Sequence, residues 1–179
     1  MKKILICLVL LVCSISCGIA LPGSTTIYII RHAEKDLTDP KNQDPELSAE
    51  GKLRAADLAE KLKSVKIDAV FSTKYKRNSQ TCAEVGKNNG ISVQEYDASN
   101  FRAISDLIKT KYQNRRILIV GHSNTVLELV EAFGAARPLD VLSDGDYDFF
   151  FEVKIDNMGK AKLNVEQYGK QHRSSVLKL

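Results

Sequence analysis

The sequence predicts an α/β fold, a three-layer α/β/α sandwich with a mostly parallel central sheet. Short runs of β-branched and aromatic residues alternate along the chain with longer segments whose apolar residues recur at helical spacing. Strands that alternate with helices favour parallel pairing, with helices covering both faces of the sheet. The length of 179 residues and the hydrophobic content of 44% suit a single compact domain.

The first half of the chain predicts two strand–helix pairs. Residues 25–31 (TTIYIIR) are expected to form a buried strand, and a polar loop then leads to Ser48, an expected helix N-cap. Residues 68–72 predict a second strand, and residues 76–87 predict a second helix that ends near Gly90.

The second half continues the alternation and then ends in strands. The predicted elements are a strand at 91–96, a helix capped by Ser99, a strand at 117–120, a helix that begins at Ser123, and two late strands at 147–155 and 161–168. The polar tail from Gln171, which carries His172, is expected to be frayed and solvated.

Residues 1–20 predict an export signal rather than part of the folded domain. Two lysines precede an almost unbroken apolar run at residues 4–12, and small residues follow, as in a secretory signal peptide. Two processing routes are open. Lipoprotein processing before Cys17 would lipidate that residue and attach the protein to a membrane, whereas ordinary cleavage would start the mature chain at Leu21. Either route predicts a single domain at residues 21–179 in the periplasm or cell envelope.

Composition and cysteine count exclude several classes of protein. The formal net charge of +4 is modest and the basic residues are spread along the chain, which argues against nucleic-acid binding. Cys82 is the one cysteine outside the N-terminal segment, so no disulfide is expected within the domain and a buried position is predicted. The three histidines come without an HxH pattern, so neither a metal nor a cofactor is expected.

Chemically active side chains follow three of the predicted strands. Arg31 and His32 end the first strand, Arg77 follows the second strand, and His122 follows the strand at 117–120. The carboxyl ends of parallel strands meet at one edge of a sheet, where ligands bind in open α/β folds. We therefore expect two imidazoles and two guanidiniums to surround a single hollow of the size of an oxyanion. A helix that starts beside His122 would add free backbone N–H groups, which favour an anion.

Four short motifs occur in order between residues 27 and 135. They are Arg31-His32-Ala33-Glu34, Leu47-Ser48-Ala49-Glu50-Gly51, Ser72-Thr73 followed by Arg77 and Thr81, and Gly121-His122-Ser123. They resemble the RHGE, L-[ST]-x-x-G, S-x-x-x-R-x-x-x-T and GH[GS] motifs of the histidine phosphatase superfamily, in its phosphoglycerate-mutase-like branch and of the small phosphatase type. The resemblance implies a phosphoglycerate-mutase-like fold and a metal-independent phosphatase that hydrolyses phosphomonoesters.

The resemblance also assigns roles to the four residues. His32 would be the nucleophile that forms a phosphohistidine, and a neutral imidazole is a good nucleophile near neutral pH. Arg31 and Arg77 would bind phosphate oxygens in the bidentate manner that lysine cannot copy. His122 would stabilise charge on the transferring phosphoryl group.

The general acid that protonates the leaving group is less well defined by the sequence. Asp97 at the end of the third strand and Glu34 beside the nucleophile are candidates, and neither need act. A non-catalytic phosphate-binding module of the cell envelope is therefore the alternative function. Short connections leave little chain to cover the site, which favours a hydrolase over a mutase, acting on a phosphorylated small molecule or an envelope substrate.

Overall fold

The structure, a computed structural model, describes residues 23–173, which form one six-stranded sheet and four helices. In chain order the elements are β1 (Thr25–Arg31), α1 (Ala49–Leu62), β2 (Ala69–Ser72), α2 (Lys76–Asn89), β3 (Val93–Glu95), α3 (Phe101–Lys111), β4 (Arg116–Gly121), α4 (Val126–Ala132), β5 (Phe149–Ile155) and β6 (Ala161–Gln167).

The strand order across the sheet is β3-β2-β4-β1-β5-β6. The first four strands in this order run parallel, whereas β5 pairs antiparallel with β1 and β6 antiparallel with β5. The predicted α/β class with a mostly parallel sheet is confirmed, and the two late strands add an antiparallel hairpin at one side.

Both faces of the sheet are covered by helices, as the alternation of residues along β1 requires. Ile27 and Ile29 pack in the same apolar cluster as the buried residues of α3 and α4. Tyr28 and Ile30 point to the other face, into the cluster that contains buried residues of α1 and α2. The result is three layers with the sheet in the middle.

Some helix ends follow the sequence prediction and others do not. The Ser48 side chain accepts a hydrogen bond from the Gly51 N–H, and Gly90 ends α2 with a φ of 66°, as expected. The predicted cap at Ser99 is wrong. The Asn100 side chain caps α3, because the Ser99 hydroxyl donates instead to Asp97.

The expectations for residues 1–20, including the signal peptide, lipidation at Cys17 and cleavage before Leu21, lie outside the described residues. Within residues 23–173, no helix combines the length and the apolar character that crossing a membrane requires.

Candidate active site

The carboxyl ends of β1, β2 and β4 meet at one edge of the sheet, hereafter the carboxyl edge. β1 pairs with β4 up to Arg31 and Gly121, and β4 pairs with β2 up to Ser72. A cavity of about 430 Å³ opens at this edge, and Arg31, His32, Arg77 and His122 all line it. The structure thus brings together the four residues that the sequence analysis selected.

His32 lies at the base of the cavity and is only 4% exposed. Its Nδ1 atom lies 2.8 Å from the carbonyl oxygen of Ala33. A carbonyl oxygen only accepts hydrogen bonds, so Nδ1 carries the proton and Nε2 keeps its lone pair. Burial lowers the pKa of His32 to about 3, and the nearby charges of Arg31 and Arg77 act in the same direction. His32 is therefore neutral at neutral pH.

His122 is a second neutral imidazole, with a ring centroid 5.4 Å from that of His32. Its Nε2 atom lies 3.0 Å from the Thr73 hydroxyl oxygen, which fixes the orientation of the ring. Burial, followed by the charges of Arg77 and Arg31, lowers the pKa of His122 to about 4.

The local backbone at His122 differs from the prediction of a helix that begins at Ser123. Helix α4 begins at Val126, because Thr125 and Val126 first form a turn in which both N–H groups bond to the His122 carbonyl. The His122 N–H donates to the Thr125 hydroxyl at 3.0 Å. This backbone group is therefore already satisfied and is not one of the free N–H groups expected beside His122.

Arg31 is only 6% exposed and is held by the loop before β5. Its Nη1 atom donates to the carbonyl oxygens of Ser143, Asp144 and Asp146 at 2.9, 3.2 and 3.2 Å. Its guanidinium carbon lies 4.0 Å from the centre of the Tyr147 ring. The Nε–H is buried and has no hydrogen-bond partner among the described residues.

Arg77 resembles Arg31 in its packing on a tyrosine ring and in its unpartnered Nε–H. Its guanidinium carbon lies 4.3 Å from the centre of the Tyr75 ring, and its Nε–H is also buried without a partner in residues 23–173. Burial lowers the pKa of Arg77, although the opposing charge of Asp44 raises it. A buried donor without an acceptor costs about 1–3 kcal/mol. Both arginines line the same cavity, so an oxyanion bound there would lie beside two guanidinium groups, each with one N–H that no described residue accepts.

Neither of the two general-acid candidates from the sequence lines this cavity. Arg54 donates three hydrogen bonds of 2.7 to 2.9 Å to the Glu34 carboxylate. Burial alone would raise the pKa of Glu34, but these bonds hold it below its ordinary value. Asp97 is exposed in a neighbouring depression, where its carboxylate accepts from the N–H and hydroxyl of Ser99.

Sequence reasoning missed Tyr75, Tyr147 and Asp144, and it placed Thr73 in a motif without giving it a role. Asp144 is the carboxylate among the described residues that line the cavity, and its Oδ1 lies 3.7 Å from Arg31 Nη2. The sequence places it 112 residues after His32 and 22 residues after His122, in a loop with no motif. Only the pairing of β5 with β1 could have indicated its position.

The expectation of a frayed, solvated tail at Gln171 and His172 is corrected for residues 171–173. The His172 ring stacks on the Tyr147 ring at 5.2 Å, and its carbonyl accepts from the Tyr147 N–H at 2.8 Å. The Nδ1 atom of His172 also lies 3.2 Å from Glu34 Oε1, and Arg173 forms an ion pair with Asp148. This terminal segment therefore supports the ring that packs on Arg31.

Cys82 is fully buried, as predicted. In the part of the chain that the structure describes, no cluster of three or more His, Cys, Asp or Glu side chains could hold a metal ion.

Comparisons with known proteins point to one family. The sequence model of the histidine phosphatase superfamily (branch 1) matches residues 27–100. No curated protein matches the sequence significantly.

Solved structures show the same fold at low sequence identity. The protein histidine phosphatase SixA, complexed with tungstate, is 19% identical, with a TM-score of 0.62, and the match covers 79% of this chain and 96% of that one. A mycobacterial glucosyl-3-phosphoglycerate phosphatase is 14% identical, with a TM-score of 0.63 and coverage of 82% and 100%. YhfR from Bacillus stearothermophilus is 18% identical, with a TM-score of 0.62 and coverage of 79% and 96%.

Proposed function

We propose that the chain, whose residues 27–100 match the sequence model of the histidine phosphatase superfamily (branch 1), is a metal-independent phosphatase that hydrolyses phosphomonoesters through a phosphohistidine on His32. The observation that carries this proposal is the juxtaposition of a neutral, buried imidazole with two unpartnered guanidinium N–H groups beside one cavity. The imidazole supplies a nucleophile, and the two N–H groups supply donors for the oxygens of a phosphoryl group.

The reaction has two steps that use the same residues. The Nε2 lone pair of His32 attacks phosphorus, and the bond from phosphorus to the ester oxygen breaks, so that this oxygen leaves with the bonding electron pair and takes up a proton. Water then attacks the phosphohistidine, the bond from phosphorus to Nε2 breaks, and phosphate leaves with neutral His32 restored. Arg31 and Arg77 hold the non-bridging oxygens throughout, and the single N–H of neutral His122 donates to the transferring group.

The test is phosphate release from an aryl phosphate in the presence of a chelator. The His32→Ala variant should lose activity by about a thousandfold or more, because no other group in the cavity replaces the nucleophile. Arg115→Ala, at the opposite edge of the sheet and exposed, is the matched control and should keep wild-type activity. Full activity in His32→Ala would reject the proposed nucleophile, and loss of wild-type activity in the chelator would reject metal independence.

The second candidate function is a phosphate-binding envelope module without turnover. The observation that favours it is the position of Glu34 and Asp97, since neither lines the cavity. This alternative predicts that calorimetric titration detects phosphate or vanadate binding while no substrate in a phosphatase panel is hydrolysed. Measurable turnover that depends on His32 would remove it.

We also propose that the protein is exported to the periplasm or cell envelope, with a phosphorylated small molecule or an envelope component as substrate. The support is the sequence of residues 1–20 alone. Intact-mass measurement on the mature protein distinguishes a lipidated chain that starts at Cys17 from an unmodified chain that starts at Leu21. Recovery of the full-length chain from the cytosolic fraction would reject export.

A further inference from the structure

The proposed hydrolysis needs a proton for the leaving oxygen, and the two obvious carboxylates lie outside the cavity. An alkoxide is a poor leaving group, so a phosphatase gains greatly from an acid within hydrogen-bond reach of the ester oxygen. The single N–H of His122 is already in use, because in the proposed reaction it donates to the transferring phosphoryl group. A carboxylic acid releases a proton more easily than the hydroxyl, amide and ammonium groups that also line the cavity.

The geometry of in-line transfer says where such an acid must lie. The attacking and leaving atoms stand on opposite sides of phosphorus. His32 is buried at the base of the cavity, so the leaving oxygen faces the open mouth. The Asp144 side chain lines the cavity and is fully exposed, whereas Asp97 lies in the adjoining depression, which shares Tyr75, Ala98 and Ser99 with the cavity.

The structure also fixes Asp144 relative to the phosphate-binding arginine. Arg31 Nη1 donates to the backbone carbonyl of Asp144 at 3.2 Å, and Arg31 Nη2 lies 3.7 Å from the carboxylate. The unpartnered Nε of the same guanidinium remains for a phosphate oxygen. The same guanidinium therefore contacts the loop that carries Asp144 and lines the cavity, which places the Asp144 carboxyl group on the Arg31 side of the cavity.

We propose that Asp144 is the catalytic proton donor of the reaction, an inference that rests on the proposed function. As the bond from phosphorus to the ester oxygen breaks, the Asp144 carboxyl proton moves to that oxygen and the alcohol leaves neutral. The Asp144 carboxylate then accepts a proton from the attacking water, whose oxygen bonds to phosphorus as the bond to His32 Nε2 breaks. Each cycle returns the proton to Asp144.

Asp144→Asn tests the proposal, because it removes the acid and keeps the size of the side chain. Arg31 holds this loop through backbone carbonyls, so the loop position does not depend on the carboxylate. Asp156→Asn is the matched control. Asp156 is exposed in the turn after β5, at the opposite edge of the sheet, and its Oδ1 accepts two backbone N–H groups that an asparagine oxygen can also accept.

The readout is kcat/KM for two substrates that differ in their need for a proton. Phenyl phosphate releases a basic phenolate, whereas dinitrophenyl phosphate releases an anion that needs no acid. Asp144→Asn should lower kcat/KM for phenyl phosphate by about a hundredfold and for dinitrophenyl phosphate by less than about threefold. A merely structural role would lower both values equally.

The other possible outcomes contradict either the assignment to Asp144 or the proposed function. Equal losses on both substrates, or no loss on either, would overturn the assignment to Asp144. A selective loss in Asp97→Asn rather than in Asp144→Asn would assign the role to Asp97 instead. Wild-type protein that hydrolyses neither substrate would overturn the proposed function itself, and this result is distinct from a failure of the proton-donor assignment.

Discussion

Replacing Arg54 with methionine is expected to lower the free energy of unfolding by several kcal/mol. Arg54 is only 2% exposed, within helix α1. Its guanidinium donates three hydrogen bonds to Glu34 and one each to the carbonyls of Tyr168 and Lys170. The side chain thus joins the residue two positions after His32 to α1 and to the terminal segment. Methionine keeps most of the volume and the helix propensity but removes every donor.

The expected loss follows from the charge that would be left behind. Removing one partner of a buried ion pair costs about 3–5 kcal/mol, because the remaining charge is uncompensated. The two carbonyls that lose their donors add about 1 kcal/mol. The total of about 4–6 kcal/mol corresponds to a fall in Tm of roughly 10–20 °C for a domain of this size.

The assay is chemical denaturation of wild type, Arg54→Met and the double variant Glu34→Gln/Arg54→Met. The double variant should be more stable than Arg54→Met, because it no longer contains a buried carboxylate without a partner. Arg115→Met breaks an exposed pair with Asp68 and should cost about 0–1 kcal/mol. A loss below about 1 kcal/mol in Arg54→Met, or a double variant less stable than Arg54→Met, would refute the reasoning.

Three further predictions concern single positions around the site. Burial raises the pKa of the Cys82 thiol to about 12, so iodoacetamide should leave Cys82 unmodified in the folded protein and alkylate it after unfolding, as read by peptide mass spectrometry. Alanine at Gly51 would place a Cβ 2.1 Å from the Glu34 carbonyl oxygen, so Gly51→Ala should cost about 1–3 kcal/mol in a denaturant titration. Thr73→Val removes the hydroxyl 3.0 Å from His122 Nε2 and should lower kcat/KM for an aryl phosphate roughly tenfold, with the melting temperature little changed.

The parts of the fold that the sequence predicted well are those governed by local chemistry. The run of β-branched and aromatic residues located β1, and the hydroxyl of Ser48 and the left-handed conformation at Gly90 marked helix ends. The predictions were weaker where two polar residues compete for one role. Ser99 and Asn100 are both good N-caps, and the choice depended on whether Asp97 engaged the serine hydroxyl.

The residues of the candidate site also differ in whether the local sequence predicts their position. Arg31, His32 and His122 could be predicted because each directly ends a parallel strand, and parallel strands bring their ends together. Asp144 could not be predicted, because its position depends on the antiparallel hairpin and on hydrogen bonds from Arg31 to the loop. The burial of Arg54 could not be predicted from the sequence either, because an arginine on an amphipathic helix is ordinarily exposed.

The low pKa of His32 leads to a last prediction, on the pH dependence of stability. Burial keeps the folded-state pKa at about 3, below the value of about 6.5 for an unfolded histidine. Between these values the unfolded chain binds a proton that the folded chain refuses, so stability is complete above the unfolded pKa and falls as the pH drops.

The size of this effect follows from the unfolded pKa alone as long as the pH stays well above 3. Lowering the pH from 7.5 to 5.0 should cost roughly 2 kcal/mol through His32. The variant His32→Asn isolates this contribution, because asparagine does not titrate and its amide can still donate to the Ala33 carbonyl. The free energy of unfolding of His32→Asn should therefore fall by roughly 2 kcal/mol less than that of wild type over the same interval. Equal falls in the two proteins would mean that His32 accepts a proton in the folded state as easily as in water, and the neutral nucleophile on which the mechanism depends would have to be abandoned.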